Sequence, residues 1–248
     1  LAVTAGDEVV VEIPAGIEVV SGDIVTPYGK LVTIVSDKEN PATIKLTNSI
    51  ILSNKIAVKD VNINAAAIED NVFKYNTEAD ESLLGATGIG EMYNILGEAV
   101  KLENVNIDSI PRGLLSDGGV KYVPEQVIID GCILHFVPAT GNQNAIHFNT
   151  SNNAIKELTI KNTTAYATGG KRLGYFVKYG NNARIDRLGY DENETSCLIN
   201  YENNTFYGLC SNYFHNYNNF MNKGTNFIVK KNVFYYDNGN YQQTRQII

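Results

Sequence analysis

One short pattern recurs along this chain: an alternating apolar run, a bend residue drawn from Asn, Asp and Gly, and a second alternating run. It reads Ala57-Val58-Lys59-Asp60-Val61-Asn62-Ile63, then returns over residues 100–107 around Asn104, 127–134 around Gly131 and 158–165 around Asn162. Two further copies, residues 199–207 and 228–235, put Asn204 and Asn232 at the bend. These residue types share a tolerance of the left-handed backbone that a sharp corner between two strands demands. Asn adds a side chain able to bond nearby backbone. If the bends stack coil on coil, their amides form a ladder along the axis, in which Asp60 and Gly131 fit the corner but interrupt the row.

The spacing of the bends sets the architecture. They lie 27 to 44 residues apart, and a coil of three short strands and three turns takes about 22 to 30 residues before loops lengthen it. The two longest intervals call for an insertion or an extra, weakly marked coil. The polar and Gly-rich stretch near 76–90 and the acidic stretch near 190–196 read as insertions. A third short strand is expected in several coils, at Asn94-Ile95-Leu96, Gly113-Leu114-Leu115, Ala145-Ile146-His147-Phe148, residues 175–179 and Asn219-Phe220-Met221. Helical periodicity is scarce, which argues against alternating strands and helices. The sequence therefore predicts an all-β chain, a single-stranded right-handed parallel β-helix over residues 1–248. Residues 1 to about 55, strand-rich but unmarked by Asn, form the first coils and cover the end of the core; residues from about 56 to 248 form the main coils. A β-sandwich is the architectural rival, but it gives no reason for Asn to return at one corner of the pattern.

Composition narrows the function. A balance of 20 Lys+Arg against 27 Asp+Glu gives a net charge of −7, which disfavours phosphate-backbone contacts and so nucleic acid as a partner. It gives no general attraction for acidic polysaccharide either, although a local basic patch overrules the average. No apolar run reaches the ~18 residues of a transmembrane segment. The opening Leu1-Ala-Val-Thr-Ala-Gly-Asp lacks the features of a signal peptide, as a trimmed secreted chain would. Cys132, Cys197 and Cys210 are too few for a disulfide framework, and Cys132, set among isoleucines, reads as a buried thiol. No spaced acids, CxxC or Cys/His cluster points to a metal, and no cofactor is expected.

The late repeats Asn203-Asn204-Thr205-Phe206-Tyr207 and Lys231-Asn232-Val233-Phe234-Tyr235 resemble the coils of pectate-lyase-like β-helix proteins. Residues 31–37 and Asn40-Pro41-Ala42-Thr43-Ile44 are similar to the start of uncharacterised secreted or lipoprotein β-helix proteins from Bacteroidetes, often part of polysaccharide-utilisation systems. The resemblance implies an extracytoplasmic setting, secreted or on the outer-membrane surface with a possible lipid anchor, and a link to glycans. It does not imply catalysis.

Candidate residues follow from chemistry. The motifs of polygalacturonase-like hydrolases are missing: there is no Asp-Asp pair, and His135, His147 and His215 have no flanking glycines. A polysaccharide lyase needs only a base and a charge partner for a uronate carboxylate. Arg112 and Arg172 each precede a strand of the third type, with His147 on the equivalent strand between them and Lys178 beyond. Since coils stack about 4.8 Å apart, Arg112, His147 and Arg172 are expected to meet on one face. Asp117, Lys121 and Tyr175 are candidate ligand contacts in the same segments. The C-terminal aromatics supply another, Tyr236, because neighbours on a strand face opposite ways and one of Tyr235 and Tyr236 must point outward. The bland alternative is that the arginines brace loops and that His147 and the lysines are solvated surface. The favoured function is non-catalytic binding of a polysaccharide or oligosaccharide; the alternatives are a β-eliminating lyase and a structural or adhesive solenoid.

Overall fold

The computed structural model of the chain describes residues 8–27, 30–53, 55–75, 98–118, 126–148, 155–179, 198–212, 214–216 and 226–235. They build three parallel sheets that the chain visits in rotation. The first stacks β1 (Glu8–Glu12), β4 (Leu31–Val35), β7 (Lys55–Lys59), β10 (Glu98–Glu103), β13 (Gln126–Asp130), β16 (Glu157–Lys161), β19 (Leu198–Glu202) and β21 (Asn226–Lys230). The second stacks β2 (Glu18–Ser21), β5 (Thr43–Leu46), β8 (Asn62–Asn64), β11 (Asn106–Ile110), β14 (Ile133–Phe136), β17 (Thr164–Ala167), β20 (Thr205–Tyr207) and β22 (Val233–Tyr235). The third holds β3 (Ile24–Val25), β6 (Ile50–Leu52), β9 (Phe73–Tyr75), β12 (Leu115–Ser116), β15 (Asn144–Phe148) and β18 (Tyr175–Tyr179). Two isolated bridges, Leu173 to Cys210 and Val177 to His215, carry the third wall one coil further. This is the right-handed parallel β-helix that the repeat predicts. A sandwich, which pairs antiparallel strands, does not fit these sheets.

The walls alternate, and the inward half of each strand stacks on its equivalents. Val58, Leu102, Ile129, Ile160 and Tyr201 form one such row in register, all nearly inaccessible to solvent. Ile63, Ile107, Leu134, Ala165 and Phe206 form another on the second sheet. Because β10 pairs directly with β7, the 44 residues between Asp60 and Asn104 span one coil, with no further coil between. The same holds between β16 and β19. The stretches near 76–90 and 190–196 lie outside the described residues. So do Asn94-Ile95-Leu96 and Asn219-Phe220-Met221, and the strand that actually pairs with β12 in the preceding coil is β9. Residues 8–52 supply β1 to β6, and their inward Val9, Val11, Val19 and Ile24 pack against the core.

From β7 onward, each corner between the first two sheets uses two residues with opposite duties. The outer one is left-handed: Asp60, Asn104, Gly131, Asn162, Asn203 and Lys231, with φ between 52° and 66°. In the last two coils the left-handed residue is therefore Asn203 and Lys231, not the expected Asn204 and Asn232. The latter sit one position later, where the chain turns inward at the place of Val61, Val105, Cys132 and Thr163. Two ladders result. On the outside, Asn104 Nδ2 donates to Asp60 Oδ1 (2.9 Å) and Asn203 Nδ2 to Asn162 Oδ1 (2.8 Å). Asp60 is thus a rung rather than a gap. Gly131 is a gap that Asp130 bridges by accepting from Asn162 Nδ2 at 2.8 Å, and a Cβ at Gly131 would lie 2.6 Å from Asn104 Oδ1.

The inner ladder is buried. Asn204 Nδ2 donates to the Ile160 carbonyl (2.8 Å) and to Asn232 Oδ1 (2.9 Å), while its Oδ1 accepts the Thr163 N–H (2.9 Å). Cys132 closes the row; burial pushes its thiol up to about 12, consistent with an inert structural role. Cys210 is buried too, with its thiol raised by desolvation, and Cys197 lies outside the described residues. Near the far end of the core His215 is inaccessible, its Nδ1 2.7 Å from the Tyr201 hydroxyl. Burial alone lowers its pKa to about 3, so the imidazole is neutral in the fold.

Two outcomes follow from this packing. Replacing Asn204 by Ala strands a buried carbonyl and a buried N–H, at about 1–3 kcal/mol each, so urea unfolding should show a loss on the order of 3 kcal/mol or more. Asn162→Ala, on the exposed ladder, should cost about 1 kcal/mol or less; equal losses would remove the distinction between the ladders. His215 works through pH. The unfolded imidazole, with a pKa of about 6.5, takes up a proton that the folded one refuses. Its contribution is thus fully present above about pH 6.5 and is lost progressively as pH falls towards about 3. Urea midpoints measured down that range should fall less steeply in His215→Gln than in the parent chain.

Candidate functional site

The outward side of the third sheet carries a polar row in register: Lys74, Ser116, His147 and Lys178, one from each successive coil. At or just before the start of these strands, Asp70, Asn71, Arg112 and Asn144 gather on the same flank. The loop between β14 and β15 folds over them, with Asn142 in the left-handed region at φ 70° and the Gln143 amide nitrogen facing the Thr140 and Pro111 carbonyls at 3.1 and 3.0 Å. Together they wall a cleft of about 450 Å³ lined by Asn71, Arg112, Thr140, Asn142, Asn144 and His147 among others, a size typical of small-ligand sites. Gly113 is required in the floor, since a Cβ there would run into the Asn144 carbonyl and the Asn71 side chain.

Local charge is arranged around one carboxylate. Asp70 is bonded by Lys74 Nζ at 3.1 Å, while Arg112 Nη1 stands 3.6 Å away, too far for a good hydrogen bond. Arg112 is more than half exposed, so its planar donors face the cleft and solvent. Partial burial opposes ionisation of Asp70, but the Asn71 N–H, the Lys74 ammonium and the Arg112 charge outweigh it and hold the carboxyl below its ordinary range. Asn144 is buried, and its Oδ1 has no hydrogen-bond partner among the described residues. At the margin Lys178 Nζ lies 5.4 Å from the centre of the Tyr175 ring.

Of the three residues expected to converge, Arg112 and His147 share this cleft. Arg172 is not among its lining residues; it precedes Leu173, which bridges to the next coil, and its charge acts on Cys210. His147 is half-buried rather than fully solvated. Asp117 is no open ligand contact: it is 2% exposed, because it follows outward Ser116 and so faces the coil interior. Lys121 and Tyr236 lie outside the described residues. Tyr235, its neighbour, does point outward, half exposed and stacked on Tyr207 at 4.9 Å. Sequence reasoning missed Asp70 and Asn71, just before β9, and Asn144, the first residue of β15; their place at the start of a third-sheet strand was the available signal. It also missed a second polar constellation on the second sheet, around His135.

Residues 18–168, more than half of the chain, match the model of a family described as a domain of unknown function (DUF4957). No curated protein and no solved structure matches the chain.

The cleft electrostatics can be checked directly. The Asp70 carboxyl should titrate below 3.8 by NMR, and Lys74→Met should move it upward by removing a hydrogen bond and a charge. The stability Asp70 contributes is present above about pH 4 and lost as pH falls through its folded value. An Asp70 titration unmoved by Lys74→Met would mean that the two do not interact.

Proposed function

We propose that this chain, which belongs to the DUF4957 family, is an extracytoplasmic β-helix that binds acidic polysaccharide or oligosaccharide through the third-sheet cleft without cleaving it. One observation carries the reading: the Arg112 guanidinium, only loosely held by Asp70, stands in a cleft lined largely by amides, with the buried Asn144 Oδ1 lacking a partner among the described residues. A guanidinium pairs with a carboxylate in a bidentate, charge-assisted way. Amides meet sugar hydroxyls, which donate and accept at once. Lys74, Arg112 and Lys178 outnumber Asp70 along this flank of a chain of net charge −7, and a local field of that kind attracts an anionic chain at short range. The pectate-lyase-like resemblance of the late coils supports a glycan as the ligand and a secreted or surface setting.

A second reading, β-eliminating cleavage, draws support from Arg112 and His147 lining the same cleft. It would assign Arg112 to the uronate carboxylate and His147 to the proton next to it. Incubation with a panel of uronic-acid polysaccharides separates the readings. Binding predicts retardation in affinity electrophoresis, weakening with added salt, with no rise in absorbance from unsaturated product. Arg112→Ala should lower affinity by about 10- to 100-fold, the worth of a charged hydrogen-bonded pair, while Arg172→Ala should leave it unchanged. Unsaturated product lost in Arg112→Ala would select the lyase. No retardation by any acidic glycan, or retardation indifferent to Arg112, would overturn both.

A further inference from the structure

On the outer face of the second sheet, away from the cleft, three side chains from successive coils are joined in a line. Asp108 Oδ1 lies 2.6 Å from His135 Nδ1, and His135 Nε2 lies 2.7 Å from Thr168 Oγ1. The far oxygen of Asp108 is held by the Ser109 hydroxyl at 2.9 Å. The hydrogen bond from His135, helped by Ser109, outweighs the opposing effect of burial and keeps the Asp108 carboxyl below its ordinary range. An ionised carboxylate only accepts. Nδ1 therefore carries a proton, and in the neutral ring Nε2 is the acceptor, so Thr168 donates its hydroxyl proton to it. That is the tautomer a general base needs.

The backbone is bent to make this alignment. A bulge between Ile107 and Ile110 sets two residues, Asp108 and Ser109, against the single His135, and Ser109 takes a left-handed φ of 60° to do so. Bulges re-aim side chains in this way, often beside active sites. The imidazole plane is fixed by the Tyr166 ring, stacked on it at 4.6 Å and 11°. Thr168 directly follows β17, is exposed, and is followed by Gly169 and Gly170, both left-handed. Neither glycine N–H donates to a backbone carbonyl among the described residues. The space beside them is open: a Cβ on Gly170 would meet nothing within 4 Å, and one on Gly169 only Val137 at 3.5 Å.

We propose that Asp108, His135 and Thr168 form a hydrolytic relay that cleaves O-acyl esters with a small acyl group. Thr168 Oγ1 bonds to the acyl carbon as its proton passes to His135 Nε2. The carbonyl oxygen takes the negative charge beside the Gly169 and Gly170 N–H groups. The bond to the ester alcohol then breaks, the alkoxide leaving with the proton from His135. Water attacks the acyl-threonine, gives one proton to His135 and releases the acid, and Thr168 regains that proton. Ester and water become acid and alcohol, and no other reactant is required. An ester suits this minimal set because its leaving group needs one proton and its small acyl group needs no apolar pocket. Asp108 is a positioning residue that fixes the tautomer; Thr168 and His135 are the catalytic ones.

The test uses 4-nitrophenyl acetate and a fluorophosphonate probe on the full chain. The parent chain should release nitrophenol faster than buffer, with the rate falling about 100-fold or more in Thr168→Val and in His135→Gln. Thr168→Ser should retain it, and Thr164→Ala, at an exposed threonine that begins β17, should match the parent. Asp108→Asn should lower the turnover rate without weakening substrate binding. Mass spectrometry should place the phosphonyl adduct on Thr168, and circular dichroism should show each variant folded. No hydrolysis above buffer, a rate unchanged in Thr168→Val, or an adduct on another residue would each overturn the proposal. Because the relay shares no residue with the cleft, glycan retardation is unaffected by either outcome.

Discussion

The corner between the first and second sheets is the constraint on which the rest of the structure depends. Two residues must reverse the course of a strand while keeping every inward side chain in register with the coil before. One of them has to be left-handed, and the other has to disappear into the core. The first demand selects Asp60, Asn104, Gly131 and Asn162; the second selects Val61, Val105, Cys132 and Thr163. Along the axis the inner position passes from apolar to hydrogen-bonded, until Asn204 saturates three backbone and side-chain partners at once. The core is therefore sealed by burial at its early corners and by amide bonding at its late ones. A shift of one residue at any corner would turn the whole following strand inside out.

How much of this is legible in sequence depends on whether a position is marked by one residue type or only by geometry. The corner is marked, because few residues tolerate its backbone, and so the marked coils could be ordered, although two long intervals left their number open. Where the mark is doubled it misleads. Asn203-Asn204 offers two candidates for one bend, and Lys231-Asn232 puts an unusual left-handed lysine before the asparagine that seemed to claim the place. The first coils lack the mark because their connections are longer. There Ser36 ties the turn instead, donating to the Ile13 carbonyl and accepting the Ala42 N–H. The third sheet was partly legible. Its strands are short and their approaches vary in length, so β9 left no repeated signal.

The same distinction governs the sites. Arg112 and His147 could be brought together on paper because each sits at a fixed place relative to a third-sheet strand, and stacking supplies the rest. Arg172 has a similar local sequence, yet its loop belongs to the following coil and does not line the cleft. Parity explains Asp117: one step past an outward serine, it is buried, whatever its charge. The Asp108–His135–Thr168 line was illegible for a different reason. Its members are 27 and 33 residues apart and meet only because a bulge adds a residue at Ser109. No composition or motif announces a bulge.

Charge placement follows from register as well, and it decides what the overall acidity means. On the first sheet the last outward position of each strand pairs across coils, Lys59 with Glu103, Lys161 with Asp130 and Lys230 with Glu202, at 2.8 to 3.1 Å. Exposed pairs of this kind add little stability, but they cancel one another's fields beyond a few ångströms. The third-sheet flank is organised differently: Lys74 and Arg112 face one held carboxylate, Asp70, and Lys178 lies further along the same row. A ligand approaching within a Debye length of about 8 Å therefore meets the arrangement of its own coil faces rather than the average charge of the chain. In a solenoid each face repeats once per coil, so a polymer lying along the axis meets the same chemistry at regular intervals.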